Sequence, residues 1–380
     1  MAKKKKKKTK IRAEFRKSHQ TRARQGNLTR EFQEHGFEQE DTERGERVSG
    51  KGQLTRKRTI VGAEVTEDET GLSVHLDIDE EGCLQGRVLS VHGLSSKVAA
   101  EDGQVYHCAT RGLLKSLSTD QRHVVAAGDR VLIRPADNLE GFIERVEPRK
   151  GILCRTSRHR QHVLVTNVDQ VLIVTSAAEP ALKPNLIDRF LVTAEKACIT
   201  PILCINKIDL IDCADLMPLV GVYSRMGYQV ILLSANDGSG LEQLKRCVHG
   251  KESVVTGQSG VGKTSLLNAI DPGLGLRVGK VSSENQKGRH TTTSAQLIPM
   301  SCGGYVVDTP GIRQFQLWDV IPEEVAGFYR DIRSYVSLCR YPDCTHTHEV
   351  DCAVKHAVAD GRVDLRRYES YCYLHAGEMP

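Results

Sequence analysis

The sequence predicts a multidomain protein in which a small β-barrel is followed by an α/β domain with a parallel sheet and then by a short helical module. Three observations predict this fold class. Short apolar runs separated by turn signals fill residues 86–146, as in all-β barrels. Continuous Val/Ile/Leu runs alternate with helix-length segments over residues 169–308, as in parallel sheets covered on both faces. Charged helical segments surround a cysteine cluster after residue 321.

The N-terminal region differs from the rest of the chain in charge. Residues 1–60 hold 19 lysines and arginines against 8 acidic residues, a net charge of +11, whereas the remainder of the 380 residues has a net charge of −6. Eight acidic residues and no lysine or arginine follow between Glu64 and Glu81. We therefore predict a basic disordered tail and an acidic linker over residues 1–82. A polyanion is the expected partner of this tail, and a solubilising tail without a partner is the alternative.

The first folded unit is predicted over residues 83–150. Its candidate strands are residues 87–91, 104–109, 130–134 and 141–146. Four or five short strands in so few residues predict an OB-type β-barrel. Basic residues favour RNA binding by this barrel, and a purely structural barrel is the alternative. The basic residues concerned are Arg111, Lys115, Arg122 and Arg134.

A phosphate-binding loop is the clearest motif of the α/β domain, which is predicted over residues 151–320. Residues 257–264 read G-Q-S-G-V-G-K-T and match the G-x-x-x-x-G-K-[ST] loop, with a strand before it and a helix start after it. Backbone N–H groups would bind phosphates, Lys263 would reach the β and γ phosphates, and Thr264 would hold Mg²⁺. The predicted nucleotide-binding residues here are Gly257, Gln258, Ser259, Gly260, Val261, Gly262, Lys263, Thr264 and Ser265.

Two further motifs predict which base is bound. N-K-I-D begins at Asn206 after a strand, and the Asp209 carboxylate can accept from both the ring N–H and the exocyclic amino group of guanine. Lys207 would lie along the base, and Asn206 would brace the loops. S-A-N begins at Ser234 after another strand and offers the Ala235 N–H to the guanine carbonyl. These five residues predict guanine rather than adenine.

The γ-phosphate end of the site has residues of its own. The motif D-T-P-G begins at Asp308 after a strand, so Asp308 would hold Mg²⁺ through water and the Gly311 N–H would contact the γ-phosphate. Residues 288–293 read G-R-H-T-T-T and are predicted to form a mobile loop that closes over nucleotide and metal. One threonine of this loop would complete the Mg²⁺ shell, and we favour Thr292 over Thr291.

The order of these motifs is rotated. Ras-like GTPases begin with the phosphate loop and end with the base-reading motifs, whereas here the motifs at Asn206 and Ser234 precede the loop at Gly257. Over residues 83–375 the sequence resembles the circularly permuted GTPases of ribosome assembly, the family of the bacterial ribosome small subunit-dependent GTPase A. The resemblance rests on N-K-x-D, G-Q-S-G-V-G-K-[ST], G-R-H-T-T-T and D-T-P-G, followed by a cysteine-rich module. It implies an OB-fold barrel, a circularly permuted P-loop GTPase domain, and the late-maturing small ribosomal subunit as the partner.

The resemblance also implies a catalytic residue. Ras-like enzymes place a water-orienting glutamine directly after the glycine of D-x-x-G, but this chain has Ile312 there, which has no polar group. The resemblance implies that His290 positions the water instead, which an imidazole can do. The alternative is that His290 contacts RNA or is simply exposed. A site without the glutamine implies slow intrinsic hydrolysis that accelerates on the bound subunit.

The C-terminal module, predicted over residues 321–380, carries a candidate metal site. Three cysteines and a histidine within fourteen residues suit a closed tetrahedral Zn²⁺ site. His348, His356 and Cys372 are competing ligands. The match to the family pattern favours the set Cys339, Cys344, His346 and Cys352. Four protein ligands leave no open position, so one structural zinc ion is expected.

Together with the resemblance, these motifs predict a GTP-hydrolysing factor of small-subunit maturation that binds rRNA, is stimulated by the subunit, and leaves it after hydrolysis. Two alternatives stay open. One is a non-catalytic RNA-binding regulator whose nucleotide state tunes affinity, and the other is a small-molecule kinase or ATPase that uses the same loop. Since the chain has no apolar run long enough to cross a bilayer and no secretory signal, we predict a cytoplasmic protein, and a monomer.

Overall fold

The computed structural model describes most of the chain after residue 80 and four short strands before it. The described residues after that point are 81–93, 95–110, 125–157, 160–276, 295–308 and 320–377. The chain divides into two units, residues 1–80 and residues 81–380. None of the helices in the described ranges has the length and apolar character that crossing a bilayer requires.

The first unit contains two antiparallel strand pairs where the sequence predicts a disordered tail and a linker. Strand β1 (Lys10–Glu14) pairs with β2 (Lys57–Val61), and β3 (Ala63–Asp68) pairs with β4 (Gly71–Leu76). In these strands the structure differs from the prediction. The prediction rested on the charge of the region and did not take into account that β4 alternates apolar and polar residues, which is the period of a strand. For the other residues of the range 1–82, the tail and linker stay a prediction.

The predicted barrel is present and closed. Its strands are β5 (Leu84–His92), β6 (Ser95–Ala100), β7 (Val105–Thr110), β8 (Arg130–Pro135) and β9 (Glu140–Val146). They pair in the order β5, β6, β7, β9, β8, and β8 pairs again with β5, which leaves no free edge in this OB-like barrel. Val88, Val98 and Ile143 are among the residues that fill its interior. Of the four basic residues predicted on its surface, only Arg134 lies within the described residues.

A hairpin that the sequence did not predict connects the barrel to the α/β domain. Strand β10 (Leu153–Ser157) pairs with β11 (Arg160–Val165) in antiparallel fashion. Just before it, Arg149 makes a two-pronged ion pair with the buried Asp129, with both N–O distances at 2.8 Å. Thr166 Oγ1 donates to the same carboxylate at 2.7 Å, so this connection is tied to the barrel on both sides.

The α/β domain is built on a six-stranded sheet. Its strands are β12 (Gln170–Ser176), β13 (Thr200–Asn206), β14 (Gln229–Leu232), β15 (Glu252–Thr256), β16 (Gln296–Pro299) and β17 (Tyr305–Asp308). They lie in the order β14, β13, β12, β15, β17, β16, and every pair is parallel except β16 with β17. The predicted parallel sheet is confirmed, and the antiparallel edge strand β16 was not predicted.

Helices cover both faces of this sheet. Helices α1 (Pro184–Lys196) and α2 (Met217–Arg225) pack on one face, and α3 (Leu241–Val248) and α4 (Lys263–Ile270) pack on the other. Successive residues of β12 point alternately into the two cores that result. Because both faces are buried, β12 and β13 contain continuous apolar runs rather than alternating residues, which is the pattern seen in the sequence.

The edge strand β16 also contacts the barrel. Its first residue, Gln296, pairs with Asp308 of β17 on one side and with Ser90 of β5 on the other. Arg87, in the same barrel strand, forms a largely buried ion pair with Glu252 at the start of β15. Backbone pairing and an ion pair therefore join the barrel to the sheet.

The C-terminal module packs against helix α1. Its helices are α5 (Val325–Phe328), α6 (Arg333–Val336), α7 (Ala353–Ala359) and α8 (Leu365–His375), which confirms a helical module. Tyr329, Val354 and Tyr371 form its core, and Val192 of α1 belongs to the same cluster. The module thus completes its small core with a side chain from the α/β domain.

A buried ion pair fastens this module to α1. Arg367 of α8 donates to Asp188 of α1 at 2.6 Å and to Asp331 with two bonds of 2.9 and 3.2 Å. The side chains of Arg367 and Asp188 are 3% and 1% exposed. The guanidinium also lies 4.4 Å from the centre of the Tyr329 ring. Removing the arginine would leave a buried carboxylate without its counter-charge.

We expect Arg367→Ala to lower the free energy of unfolding by about 3–5 kcal/mol, because Asp188 would then be buried and unpaired. Arg366→Ala is the matched control, since Arg366 is in the same helix but its side chain is 46% exposed. Its effect should stay within about 0.5 kcal/mol. Urea unfolding followed by circular dichroism measures both, and equal losses would show that the buried pair is not what holds the module.

Candidate functional site

The phosphate loop connects the end of β15 to the start of α4 at the carboxyl edge of the sheet. Two of its glycines have no room for a side chain. Gly257 has φ +142°, and a Cβ there would lie 2.0 Å from the Val174 carbonyl oxygen. Gly262 has φ +91°, and a Cβ there would lie 2.4 Å from Asn206 Nδ2. The spacing of these glycines in the motif therefore follows from close packing against β12 and β13.

The Lys263 ammonium lies over this loop. Its Nζ donates to the carbonyl oxygens of Gly257 at 2.9 Å and Gln258 at 2.7 Å. Thr264 and Ser265 follow in the first turn of α4 and are partly exposed. A glycine-rich loop, a helix N-terminus and an ammonium group meet here, and this combination binds phosphate groups.

Asn206 joins three loops. Its Nδ2 donates to the Val261 carbonyl of the phosphate loop at 2.8 Å, and its Oδ1 accepts from the Ala235 N–H at 3.3 Å. The residue ends β13 and is only 2% exposed. Since both ends of the amide are engaged, the predicted base-reading motif is held directly against the predicted phosphate loop.

The Asp209 carboxylate is oriented by the loop after β14. Its Oδ1 accepts from Ser234 Oγ at 2.7 Å, and its Oδ2 accepts from Asn236 Nδ2 at 3.4 Å. Ser234 is fully buried, and its Oγ accepts from the N–H groups of Asn236 and Asp237, both at 3.2 Å. Asp209 itself is exposed, so an oriented carboxylate is accessible to a base. The sequence analysis assigned no role to Asn236.

Lys207 has a left-handed backbone conformation, with φ +63°, directly after Asn206. Its Nζ contacts the Glu179 carbonyl oxygen in the loop that follows β12. The aliphatic stem therefore extends from the end of β13 to the end of β12. This is the edge of the sheet at which the other base-reading residues lie.

The strand register brings the last motif to the same edge. Val307 of β17 is level with Val254 of β15. Asp308, the last residue of β17, is therefore level with the residue two before Gly257. The backbone that starts D-T-P-G thus lies beside the phosphate loop, although 45 positions separate Asp308 from Lys263 in the sequence.

Several predicted residues lie outside the described part of the chain. They are His290, Thr291, Thr292, Gly311 and Ile312. The side chain of Asp308 is also outside it, although its backbone is described. The predicted roles of these residues in holding Mg²⁺ and positioning water therefore stay predictions.

Three thiols and an imidazole converge in the C-terminal module. The donor atoms of Cys339, Cys344, His346 and Cys352 all lie within 4.8 Å of one another. The Sγ atoms of Cys339 and Cys352 are 3.8 Å apart, and His346 Nδ1 lies 3.4 and 3.5 Å from them. Tetrahedral zinc with Zn–S of about 2.3 Å and Zn–N of about 2.0 Å requires separations of about 3.8 Å and 3.6 Å. Donor set and distances both fit zinc.

Burial shifts the pKa values of two donors in this cluster. Desolvation lowers the pKa of the His346 imidazole, which keeps it neutral and able to bind a metal. Desolvation also raises the pKa of the Cys344 thiol to about 12. A divalent cation would offset that penalty, because metal binding and thiol deprotonation are linked. The competing ligands His348, His356 and Cys372 are not part of the described cluster.

Side chains around the cluster hold its backbone in place. Tyr368 and Tyr371 donate their hydroxyls to the carbonyls of His346 and Thr345, at 2.8 and 2.7 Å. Glu349 accepts from the Thr345 N–H and hydroxyl, both at 2.6 Å. Desolvation would raise the pKa of Glu349, but the hydrogen bonds from Thr345 outweigh it and lower that pKa to about 2. The sequence analysis missed Glu349; its only signal was a carboxylate four residues after a threonine, which is turn chemistry.

Comparisons with known proteins decide the family. The RsgA GTPase family model matches residues 146–318. A small ribosomal subunit biogenesis GTPase RsgA from Thermotoga petrophila is 42% identical over 293 residues, which make up 76% of this chain and 94% of that protein. The chain belongs to the RsgA GTPase family. The RsgA of Ectopseudomonas mendocina is 38% identical over 339 residues, or 87% of this chain and 93% of that protein.

Solved structures agree with this RsgA assignment. The crystal structure of YjeQ from Thermotoga maritima has a TM-score of 0.65 and 37% identity, and the match covers 78% of this chain and 98% of that one. YloQ, described as a circularly permuted GTPase, has a TM-score of 0.63 and 31% identity over 80% of this chain and 97% of that one. The RsgA-family chain is therefore a GTP hydrolase with a circularly permuted P-loop domain, and both predictions are confirmed.

We expect Asn206→Ala to weaken GDP binding at least about fivefold, because two loops lose the buried amide that holds them, a loss of about 1–3 kcal/mol. The matched control is Asn236→Ala, which removes one bond of 3.4 Å to Asp209. It should change the affinity less than about threefold. Titration with a fluorescent GDP analogue measures both dissociation constants. Unchanged affinity in the Asn206 variant would mean that the amide does not hold the loops.

We expect the purified protein to contain about one zinc ion per chain and Cys352→Ser to lose it, because a four-ligand site missing one buried thiolate binds weakly. The C-terminal helices should unfold with the metal. Cys372→Ser is the control, since this thiol is in the same module but outside the cluster. Elemental analysis and far-ultraviolet circular dichroism give both readouts. A Cys352 variant that keeps its zinc would disprove the assigned ligand set.

Proposed function

We propose that this chain is a ribosome-biogenesis GTPase that acts in late maturation of the small ribosomal subunit. It binds rRNA, is stimulated by the subunit, and leaves the subunit when GTP is hydrolysed to GDP and phosphate. The observation that carries the proposal is the pair of hydrogen bonds made by the Asn206 amide, which donates to Val261 and accepts from Ala235 and so holds a guanine-reading motif against a phosphate loop. Relatives that match most of the chain bear the name small ribosomal subunit biogenesis GTPase, which supports the choice of target.

The nucleotide lies along the carboxyl edge of the sheet in this proposal. Asp209 accepts the two N–H groups of guanine, and Lys207 lies along the ring. The Ala235 N–H donates to the guanine carbonyl and keeps its 3.3 Å bond to Asn206 Oδ1, so the two loops stay joined. Lys263 exchanges its two carbonyl partners for the β and γ phosphates. Support comes from the Ser234 hydroxyl, which already orients the Asp209 carboxylate.

Hydrolysis depends on residues around the γ-phosphate. Thr264, Thr292 and, through water, Asp308 hold Mg²⁺, which neutralises charge on the phosphate oxygens. The Gly311 N–H contacts the γ-phosphate. His290 orients the attacking water, because the position that holds glutamine in Ras-like enzymes is an isoleucine here.

The metal of the C-terminal module is structural in this proposal. Cys339, Cys344, His346 and Cys352 hold one zinc ion with all four of its coordination positions, which leaves none for a substrate. The short helices around the site have a small core, so metal binding contributes to their folding. The hydroxyl bonds of Tyr368 and Tyr371 to the backbone near His346 support this assignment.

RNA contacts are spread over the barrel, the zinc-bearing module and the basic N-terminal region. The net charge of +11 in residues 1–60 supplies affinity for phosphates that does not depend on RNA sequence and falls as salt rises. We propose a monomer that works in the cytoplasm, where ribosomal subunits mature.

GTP turnover with and without purified small subunits tests the proposal. We expect slow phosphate release from the chain alone and release at least about tenfold faster with subunits present. His290→Ala should lower the stimulated rate about 100-fold and leave GDP affinity unchanged, because it removes only the group that orients water. His249→Ala is the control, since His249 is exposed and lies at the opposite end of α3 from the phosphate loop's edge.

Three results would contradict the proposal. Equal turnover with and without subunits would show that the subunit does not stimulate hydrolysis. Competition by ATP as strong as by GTP would favour an ATPase or a small-molecule kinase. Full stimulated turnover in the His290 variant would remove that residue from catalysis.

A further inference from the structure

A charged cleft of about 460 Å³ lies between the α/β domain and the C-terminal module. Glu195 and Arg225 contribute to it from the ends of α1 and α2 that lead into β13 and β14. The cleft is therefore at the amino edge of the sheet, opposite the nucleotide loops. Its charged lining residues are Glu195, Arg225, Arg330, Asp331, Arg333 and Arg362.

The positive charge of this cleft exceeds its negative charge. Four arginines and two carboxylates line it, which leaves a net charge of +2. Both carboxylates already have partners: Glu195 accepts from Arg330 Nε at 2.7 Å, and Asp331 accepts two bonds from Arg367. Because each carboxylate already has an arginine partner, neither needs Arg225, Arg333 or Arg362 as its counter-ion.

Arg330 belongs to the wall of the cleft. Its guanidinium lies 4.2 Å from the centre of the Tyr228 ring, and its Nη1 donates to the Met226 carbonyl at 3.3 Å. With its ion pair to Glu195, this side chain crosses from the C-terminal module to the α/β domain. Arg330 thus sets the distance between the two sides and is not free to bind a ligand.

The remaining arginines come from both sides of the cleft. Arg225 of α2 donates to the Arg362 carbonyl of the module at 2.7 Å, so the two sides meet there. Arg362 has a long exposed contact of 3.6 Å to Asp360. Arg333 is exposed, and within the described residues its guanidinium has no ion pair and no hydrogen-bond acceptor. In the described part of the chain, Arg333 is therefore without a partner at this opening, and Arg225 and Arg362 add positive charge beside it.

We propose that this cleft binds backbone phosphates of RNA and that Arg333 is its principal contact. A guanidinium pairs with phosphate through two parallel N–H bonds and stays charged at any physiological pH. Small-molecule sites are lined mainly by apolar side chains, whereas this cleft is lined mainly by charged ones. The inference rests on the proposed function, because it names a contact for the RNA partner. RNA bound here would touch the α/β domain and the module together.

Equilibrium binding of the full-length protein to purified small subunits, in the presence of a non-hydrolysable GTP analogue, tests this site. We expect Arg333→Glu to weaken binding at least about tenfold, because a contact becomes a repulsion. Arg333→Ala should reduce the slope of log K against log salt by about one, and Arg333→Lys should restore it, since one phosphate contact is lost and regained.

The matched control is Arg246→Glu, the same charge change at an exposed arginine of α3, on the opposite face of the sheet. It should weaken binding less than about threefold. Zinc content and turnover without subunits should be unchanged in every variant, since Arg333 and Arg246 contact neither the metal cluster nor the nucleotide loops.

The outcomes of these binding measurements separate failure of the RNA site from failure of the proposed function. If the Arg333 variants bind like the unchanged protein, or lose no more than the Arg246 variant, the cleft does not bind RNA, and the proposed function stands because the unchanged protein still binds and hydrolyses. If the unchanged protein itself does not bind subunits, the proposed function fails, and the inference fails with it. Pyrophosphate that binds in an Arg333-dependent manner, while subunit binding is indifferent to Arg333, would identify a small-anion site and overturn the RNA assignment.

Discussion

The whole nucleotide site depends on one buried amide, that of Asn206. The residues that it joins are distant in the chain: Val261 is 55 positions away and Ala235 is 29. Parallel strands bring their carboxyl ends to one edge, and the amide then fixes the spacing between the loops that follow. A contact of this kind depends on which strands are neighbours and not on which strand comes first. For this reason, a chain with rotated motif order keeps the geometry of the site.

The parts of the fold that could be predicted have local signals. Strands β12 and β13 are buried on both faces and therefore contain continuous apolar runs. The glycines of the phosphate loop follow from steric contacts such as that between Gly257 and Val174. Edge strand β16 was missed because it has only four residues and ends in a proline. The hairpin of β10 and β11 was missed because its strands are rich in charged and polar residues.

Contacts between distant residues leave no pattern in the sequence. Asp188 and Arg367 are 179 positions apart, and neither belongs to a recognisable motif. The metal ligands were predictable because four donors lie close together, whereas Glu349, which holds their backbone, could be found only from the structure. The Asp188–Arg367 pair also limits how the module moves. Separating it from α1 would remove the counter-charge of Asp188, whereas Arg367 would keep its bonds to Asp331, so the pair opposes separation of the module from α1.

Gln296 pairs with Asp308 on one side and with Ser90 on the other, and this pairing connects the D-T-P-G strand to the barrel. Asp308, Gln296 and Ser90 lie side by side on three neighbouring strands, each about 4.8 Å from the next. The start of the D-T-P-G motif is thus about 10 Å from the barrel, with two ladder spacings and no helix between them. A displacement of the strand that ends at Asp308 would reach the barrel through the backbone pairing of β16, in addition to the ion pair between Arg87 and Glu252. The strand that leads into the D-T-P-G motif and the barrel are therefore separated by the single strand β16.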